Sequence, residues 1–350
     1  MHHAPARFAS QMALLPRIRP PSLAGVVAMA LVVATGAAAV DLQAAQQAPV
    51  NSTPELPAVK KTSLKTSDKV DLAVWYYAAR EGSSPLATVL LLHDLGGSHE
   101  TVEPLALALQ EGGCAVVVPD LRGHGDSVSA DLERAAGNRS PSDLLKLPDF
   151  KAMIATGGGR VRDQASLQGD IECVRNWIKE QSVSGGGASL DRLYLVGSGL
   201  GGALAAHWTF FDAAWPPLAS GPQGGDVKGL VLVEPAFAAK QFQILPALAS
   251  EPIKTELPIM IIAGKNCRDA DKVFDPLKRW RTDNWFDSRR PNDSPAKDSE
   301  ATLLFAQLDA RDGRGATVGG DQLASWQSPD RRRPDPASLI VTFIKATSDR

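Results

Sequence analysis

Leu193-Tyr194-Leu195-Val196-Gly197-Ser198-Gly199-Leu200-Gly201-Gly202-Ala203 is the stretch that decides the architecture. Leu193–Val196 is apolar without alternation, as in a strand covered on both faces. Glycines at 197, 199, 201 and 202 follow immediately, and the small-residue run Leu200–Phe211 reads as a helix that starts with almost no connecting loop. A buried strand turning straight into a helix belongs to a parallel sheet with helices packed on it.

The same alternation extends in both directions. Upstream lie a β-rich opening strand, Val70–Ala79, and the continuous apolar runs Ala87–His93 and Cys114–Asp120. Between them is a helix over Glu103–Glu111, and after them an amphipathic helix over Asp163–Val183, with Leu167, Ile171, Val174 and Ile178 on one face. Downstream, Gly229–Val233 and Pro258–Ala263 are short apolar strands and Ala301–Leu308 is a weaker one. Asp335-Pro336 supplies an N-cap and a first-turn proline for a closing helix carrying Leu339, Ile340, Phe343 and Ile344. These runs predict one doubly wound α/β domain over residues 69–350, with a mostly parallel sheet of about eight strands and helices on both faces. The polar, Gly/Pro/Arg/Asp-rich stretches 126–162 and 280–298 read as loops.

Composition narrows the function. The chain has 350 residues, 44% hydrophobic and 22% charged, which suits a globular fold. A net charge of −2 offers no surface for nucleic acid. Cys114, Cys173 and Cys267 form neither a disulfide framework nor a metal-ligand spacing, so no metal and no cofactor is expected. Arg7, Arg17 and Arg19 precede an uncharged stretch, Leu23–Val40, and small residues at Ala37–Ala39 and Ala44 follow as cleavage sites. Residues 1–44 thus read as a secretory signal peptide, or as a membrane anchor if they are retained. Residues 45–68 read as a flexible linker. The expected location is periplasmic or secreted, with membrane contact only through an uncleaved N-terminal segment.

Three segments then stand out together, each following an apolar strand: Leu91-Leu92-His93-Asp94-Leu95-Gly96-Gly97-Ser98, Val118-Pro119-Asp120-Leu121-Arg122-Gly123-His124-Gly125-Asp126-Ser127, and Leu195–Ala203. In this order they resemble the α/β-hydrolase superfamily, nearest its monoacylglycerol-lipase, serine-aminopeptidase and dienelactone-hydrolase branches. The resemblance implies that His93, Asp94, Leu95, Gly96 and Gly97 form the oxyanion loop and, with Leu200, line the pocket. It also implies that His93 and His124 are structural. Asp94 departs from the commoner small residue, and a carboxylate there opposes a developing negative charge. His207, two turns into the elbow helix, reads as a packing residue.

The chemistry of that superfamily is missing. Its nucleophile occupies the middle of a Gly-x-nucleophile-x-Gly turn. Gly197 and Gly201 fix the register, so the nucleophile position is Gly199, with Ser198 one residue early. A serine also needs an adjacent imidazole. The stretch Asp309–Leu323, where the resemblance places that base, has none, and the last histidine of the chain is His207. The orienting acid is blurred among Asp269, Asp271 and Glu234. The sequence therefore implies a pseudo-hydrolase that binds or scaffolds, with a small molecule or a protein as ligand. The competing possibility is an active serine hydrolase of carboxylic esters or peptides with a relocated triad, such as Ser198 with His93 or His124.

Overall fold

The computed structural model describes residues 56–80, 82, 84–156, 168–215, 224–298, 300–330 and 332–348. The signal or anchor segment 1–44 lies outside these residues, as do linker positions 45–55. In chain order the first half contains β1 (Lys60–Lys65), β2 (Asp71–Tyr77), β3 (Thr88–Leu92), α1 (His99–Glu111), β4 (Ala115–Pro119), α2 (Ala130–Ala136), α3 (Leu147–Met153), α4 (Asp170–Ser184), β5 (Leu193–Ser198) and α5 (Gly199–Ala213). The second half contains β6 (Val227–Val233), the short hairpin β7 (Ala238–Ala239) and β8 (Phe242–Gln243), α6 (Leu245–Leu248), β9 (Ile259–Gly264), α7 (Arg268–Trp280), β10 (Trp285–Asp287), β11 (Leu303–Leu308), α8 (Gly320–Ala324) and α9 (Pro336–Thr347).

Nine strands form one sheet in the order β1-β2-β4-β3-β5-β6-β9-β11-β10. Every pairing from β4 to β10 is parallel, and only β1–β2 and β2–β4 are antiparallel. This is the α/β-hydrolase fold, with its core in two layers. Because side chains alternate along a strand, Leu90 and Leu92 of β3 face one layer with α4, α5 and α7, while Val89 and Leu91 face the other with α1 and α9.

Three segments differ from the sequence reading. Residues 60–65, placed in the flexible linker, form β1, an edge strand paired with β2 from Lys60↔Tyr76 to Lys65↔Asp71. Its lysines are those of a solvated edge, which is why its composition reads as linker. The stretch 126–162 is not all loop. Ser129 caps α2 by accepting from the N–H of Leu132, Gly137 ends that helix, and Phe150 and Met153 of α3 are buried. These two helices and the 3₁₀ turn Pro141–Leu144 make a cap, held at its turn by Lys240, whose Nζ donates to the carbonyls of Ser142, Asp143 and Leu145. Likewise 280–298 contains β10. Among the described residues no helix is long and apolar enough to cross a membrane.

A buried ion network ties the outer strands to the core. Arg122, 8% exposed, donates through Nη2 to Asp170 Oδ1 at 2.5 Å, through Nε to the same carboxylate at 2.9 Å, and through Nη1 to Asp68 at 2.6 Å. Asp170 Oδ2 also accepts the backbone N–H of Arg122 at 3.0 Å. One guanidinium thus joins the β1–β2 turn, the loop after β4 and the start of α4.

Candidate functional site

The sheet places its crevice where the chain leaves β3 on one side for β4 and later returns on the other as β5. Leu92 of β3 pairs with Gly197 of β5. Asp94 and Gly199 each lie two residues beyond that pair, so the register brings them face to face at the carboxyl ends of the strands. Gly199 opens α5 with φ +51°, a left-handed conformation that favours glycine. There is also no room for a side chain. A Cβ on Gly199 would come closer than 3.0 Å to the carboxyl carbon and both carboxyl oxygens of Asp94. The volume of a nucleophile side chain is filled by a neighbour's carboxylate.

That carboxylate is held by two backbone groups. Asp94 Oδ1 accepts the N–H of Leu95 and the N–H of Leu200, both at 2.7 Å. One donor belongs to the loop after β3 and the other to the residue after the nucleophile position, the pair that stabilises an oxyanion in acyl transfer. Two converging backbone donors are thus taken up by one carboxylate oxygen of the chain itself.

The base side of the site is filled in the same way. The loop after β11 arrives as Gly319-Gly320, and a Cβ on Gly319 would overlap the Glu234 carboxylate. Glu234 follows β6 with φ +43°. Its Oε1 accepts the N–H of Gly264 and its Oε2 the N–H of Gly320, each at 3.0 Å, so it ties the ends of β6 and β9 to the start of α8. Asp321, one residue further on, accepts the hydroxyl of Ser198, the backbone N–H of Asp94 at 2.9 Å and the hydroxyl of Thr101 at 2.6 Å. Ser198 is 1% exposed, and its proton is committed to a carboxylate.

Asp94, Asp321 and Glu234 thus converge, and their partners among the described residues are N–H groups and hydroxyls. Burial raises the pKa of Asp94 above the ordinary carboxylate value; the Leu200 and Leu95 N–H groups pull it down, and the charges of Asp321 and Glu234 push it up again. A field of this sign disfavours the negative charge that builds up in ester cleavage. Among the described residues no group of three or more His, Cys, Asp or Glu side chains is placed to hold a metal ion.

The remaining sequence candidates fall elsewhere. His93 is fully buried; its Nδ1 donates to the Asp94 carbonyl at 2.8 Å and its Nε2 accepts the Leu121 N–H at 3.1 Å. Burial, with neighbouring His124, lowers its pKa to about 3, so both nitrogens brace loops and neither serves Ser198. His207 binds the Gln243 carbonyl at 2.7 Å and packs on Phe242. Asp269 accepts the Phe237 N–H at 3.2 Å and pairs with Lys272, while Asp271 pairs with Arg289. Both belong to the first turn of α7, where a carboxylate suits the helix dipole. Gly96 has φ +83° and carries the loop away from Leu95 toward α1. Asp321 escapes sequence reasoning because Asp309, Asp312 and Asp321 share the segment and nothing in their order ranks them.

The sequence profile of the alpha/beta hydrolase family matches residues 89–350. The chain belongs to the alpha/beta hydrolase family. No curated protein matches it in sequence. Among solved structures, this alpha/beta hydrolase is similar to a fungal esterase of Rhizomucor miehei (11% identity, 86% of this chain and 85% of that one, TM-score 0.48). It is also similar to an esterase of Pyrococcus furiosus (16%, 72% and 82%, 0.43) and a dienelactone hydrolase of Anabaena variabilis (12%, 73% and 87%, 0.44).

The occupied hole gives a direct test. Asp94→Gly removes one of three converging acids and opens two donors, so the two effects on stability largely offset. Formate then has a carboxylate-sized vacancy in the variant and none in the wild type. At ten times its Kd it stabilises the variant by about 1.4 kcal/mol by mass action. Thermal melts in formate and in chloride at equal ionic strength measure it; equal responses in variant and wild type refute the filled hole.

Proposed function

We propose that this alpha/beta hydrolase is an exported, catalytically inactive member of its family that binds a ligand instead of turning it over. The observation that carries the reading is Asp94, whose carboxylate takes up both the nucleophile's volume and the oxyanion donors. The loss is therefore threefold: no nucleophile, no imidazole on the loop after β11, and no free hole. Each alone costs several orders of magnitude in acyl-transfer rate. Ser198 is no substitute, because its hydroxyl donates to Asp321 and a carboxylate is a far weaker base than the imidazole serine chemistry uses.

Incubation of the purified chain with a fluorophosphonate probe and with p-nitrophenyl acetate tests inactivity. The expected result is no labelling and no turnover above buffer. Labelling lost in Ser198→Ala restores the relocated triad as the correct account. Export rests on Arg7, Arg17 and Arg19 ahead of the Leu23–Val40 stretch. The mass of the protein isolated from its native host checks it. A mass lacking about 37–44 residues indicates a cleaved signal, a full-length mass in the membrane fraction indicates an anchor, and a full-length cytosolic protein rules out export.

A further inference from the structure

We propose that the cleft under the cap is a site for an uncharged, polyhydroxylated ligand, a saccharide or polyol, and that His124 Nε2 accepts one of its hydroxyls. The proposal deepens the binding reading above and rests on it. The cleft has a volume of about 430 Å³, in the range of small-molecule sites. It lies between the Gly96-Gly97 turn, the loop after β4 and the cap; Asp94, Ser198 and Gly199 do not line it.

His124 lines this cleft and is 3% exposed. Its Nδ1 lies 3.1 Å from the Arg122 carbonyl oxygen, which can only accept, so Nδ1 carries the proton. Nε2 is then a lone-pair acceptor, and it is one of the few buried polar atoms that has no protein partner among the described residues. Burial keeps the ring neutral by lowering its pKa. A buried acceptor without a donor is costly, and a ligand hydroxyl removes that cost.

The rest of the lining sets the ligand class. The Ser140 and Ser142 hydroxyls lie 2.8 Å apart and can each donate or accept. Glu133 adds an acceptor at the rim, and the Asp126 carboxylate is already held by Lys61 at 2.5 Å. Lysine and arginine are missing from the lining, so a carboxylate or phosphate meets acids and no counter-charge. Asp126 is paired with Lys61 and Glu133 stands exposed at the rim, so solvent screens both carboxylates. Inside that rim are the His124 acceptor and the Ser140 and Ser142 hydroxyls, the complement of a ring or chain of hydroxyl groups.

The test uses the full chain labelled with ¹⁵N in its histidines, with methyl α-glucoside as the probe. One imidazole signal, identified by its loss in His124→Gln, should shift saturably on titration, while the His93 and His207 signals stay in place. Sodium acetate and tetramethylammonium chloride should leave it unmoved. Ser140→Ala, at an exposed rim position, should weaken the glucoside about fivefold, the worth of one neutral hydrogen bond. No saturable shift up to the solubility limit overturns the proposal, and so does a shift with acetate or tetramethylammonium alone. The fluorophosphonate assay on the same sample separates the two readings. Labelling together with a glucoside shift sinks inactivity and keeps the cleft; no labelling and no shift does the reverse.

Discussion

Gly199→Ser is expected to destabilise the protein by about 3 kcal/mol and to restore no activity. Forcing a side chain into filled space costs about 1–3 kcal/mol, and a non-glycine residue at positive φ adds about 1 kcal/mol. The new Cβ meets the Asp94 carboxylate, and moving that group strips it from the Leu95 and Leu200 N–H groups. A double-mutant cycle isolates the collision. Gly199→Ser on an Asp94→Gly background should cost only about 1 kcal/mol, the backbone strain alone, a coupling of about 2 kcal/mol. Urea denaturation of the four proteins reads this directly. Additive effects within a few tenths of a kcal/mol would show that Asp94 does not occupy the side-chain volume at 199. A fluorophosphonate should label none of the four, because the hydroxyl still lacks a base.

The second large effect lies in the buried ion network that joins the outer strands to the core. Asp170→Ala should cost about 3–5 kcal/mol, because it strands the Arg122 guanidinium where only Asp68 remains to meet it. Against a total stability of about 5–15 kcal/mol this is a large fraction. The replacement Arg122→Met with Asp170→Leu should recover part of the loss, since no fully buried charge is then stranded: Asp68 is partly exposed and keeps the Thr66 hydroxyl, and the residue 122 N–H loses its acceptor. Denaturant midpoints of the single and double variants decide the matter. A double variant as unstable as Asp170→Ala would mean that packing, not the stranded charge, sets the cost.

How far the sequence carried depends on where each residue is buried. The central strands β3, β4, β5, β6 and β9 are covered on both faces, so their apolar runs are unbroken and legible. β1 is not legible, because only Thr62 and Leu64 are even half-buried and its exposed residues are as polar as the linker before it. The cap helices α2 and α3 were hidden by their seven-residue length amid glycine, arginine and aspartate. At the site, the Gly197 and Gly201 frame identifies position 199 from sequence alone. That Asp94 would reach it depends on the pairing of Leu92 with Gly197, a property of the assembled sheet. The contact of Asp321 with Ser198 is further removed, since it joins residues 123 apart through the path of a glycine loop.

The meeting of Asp94 and Gly199 also fixes the order in which these positions can be altered. A side chain at position 199 is admitted only after residue 94 has been shortened, because both claim the same volume. Shortening residue 94 first opens that volume and frees the N–H groups of Leu95 and Leu200. The same holds at position 319, where a side chain finds Glu234 in its place. Side chains at 199 and 319 together therefore need four substitutions, at 94, 199, 234 and 319, with the two acidic positions changed first.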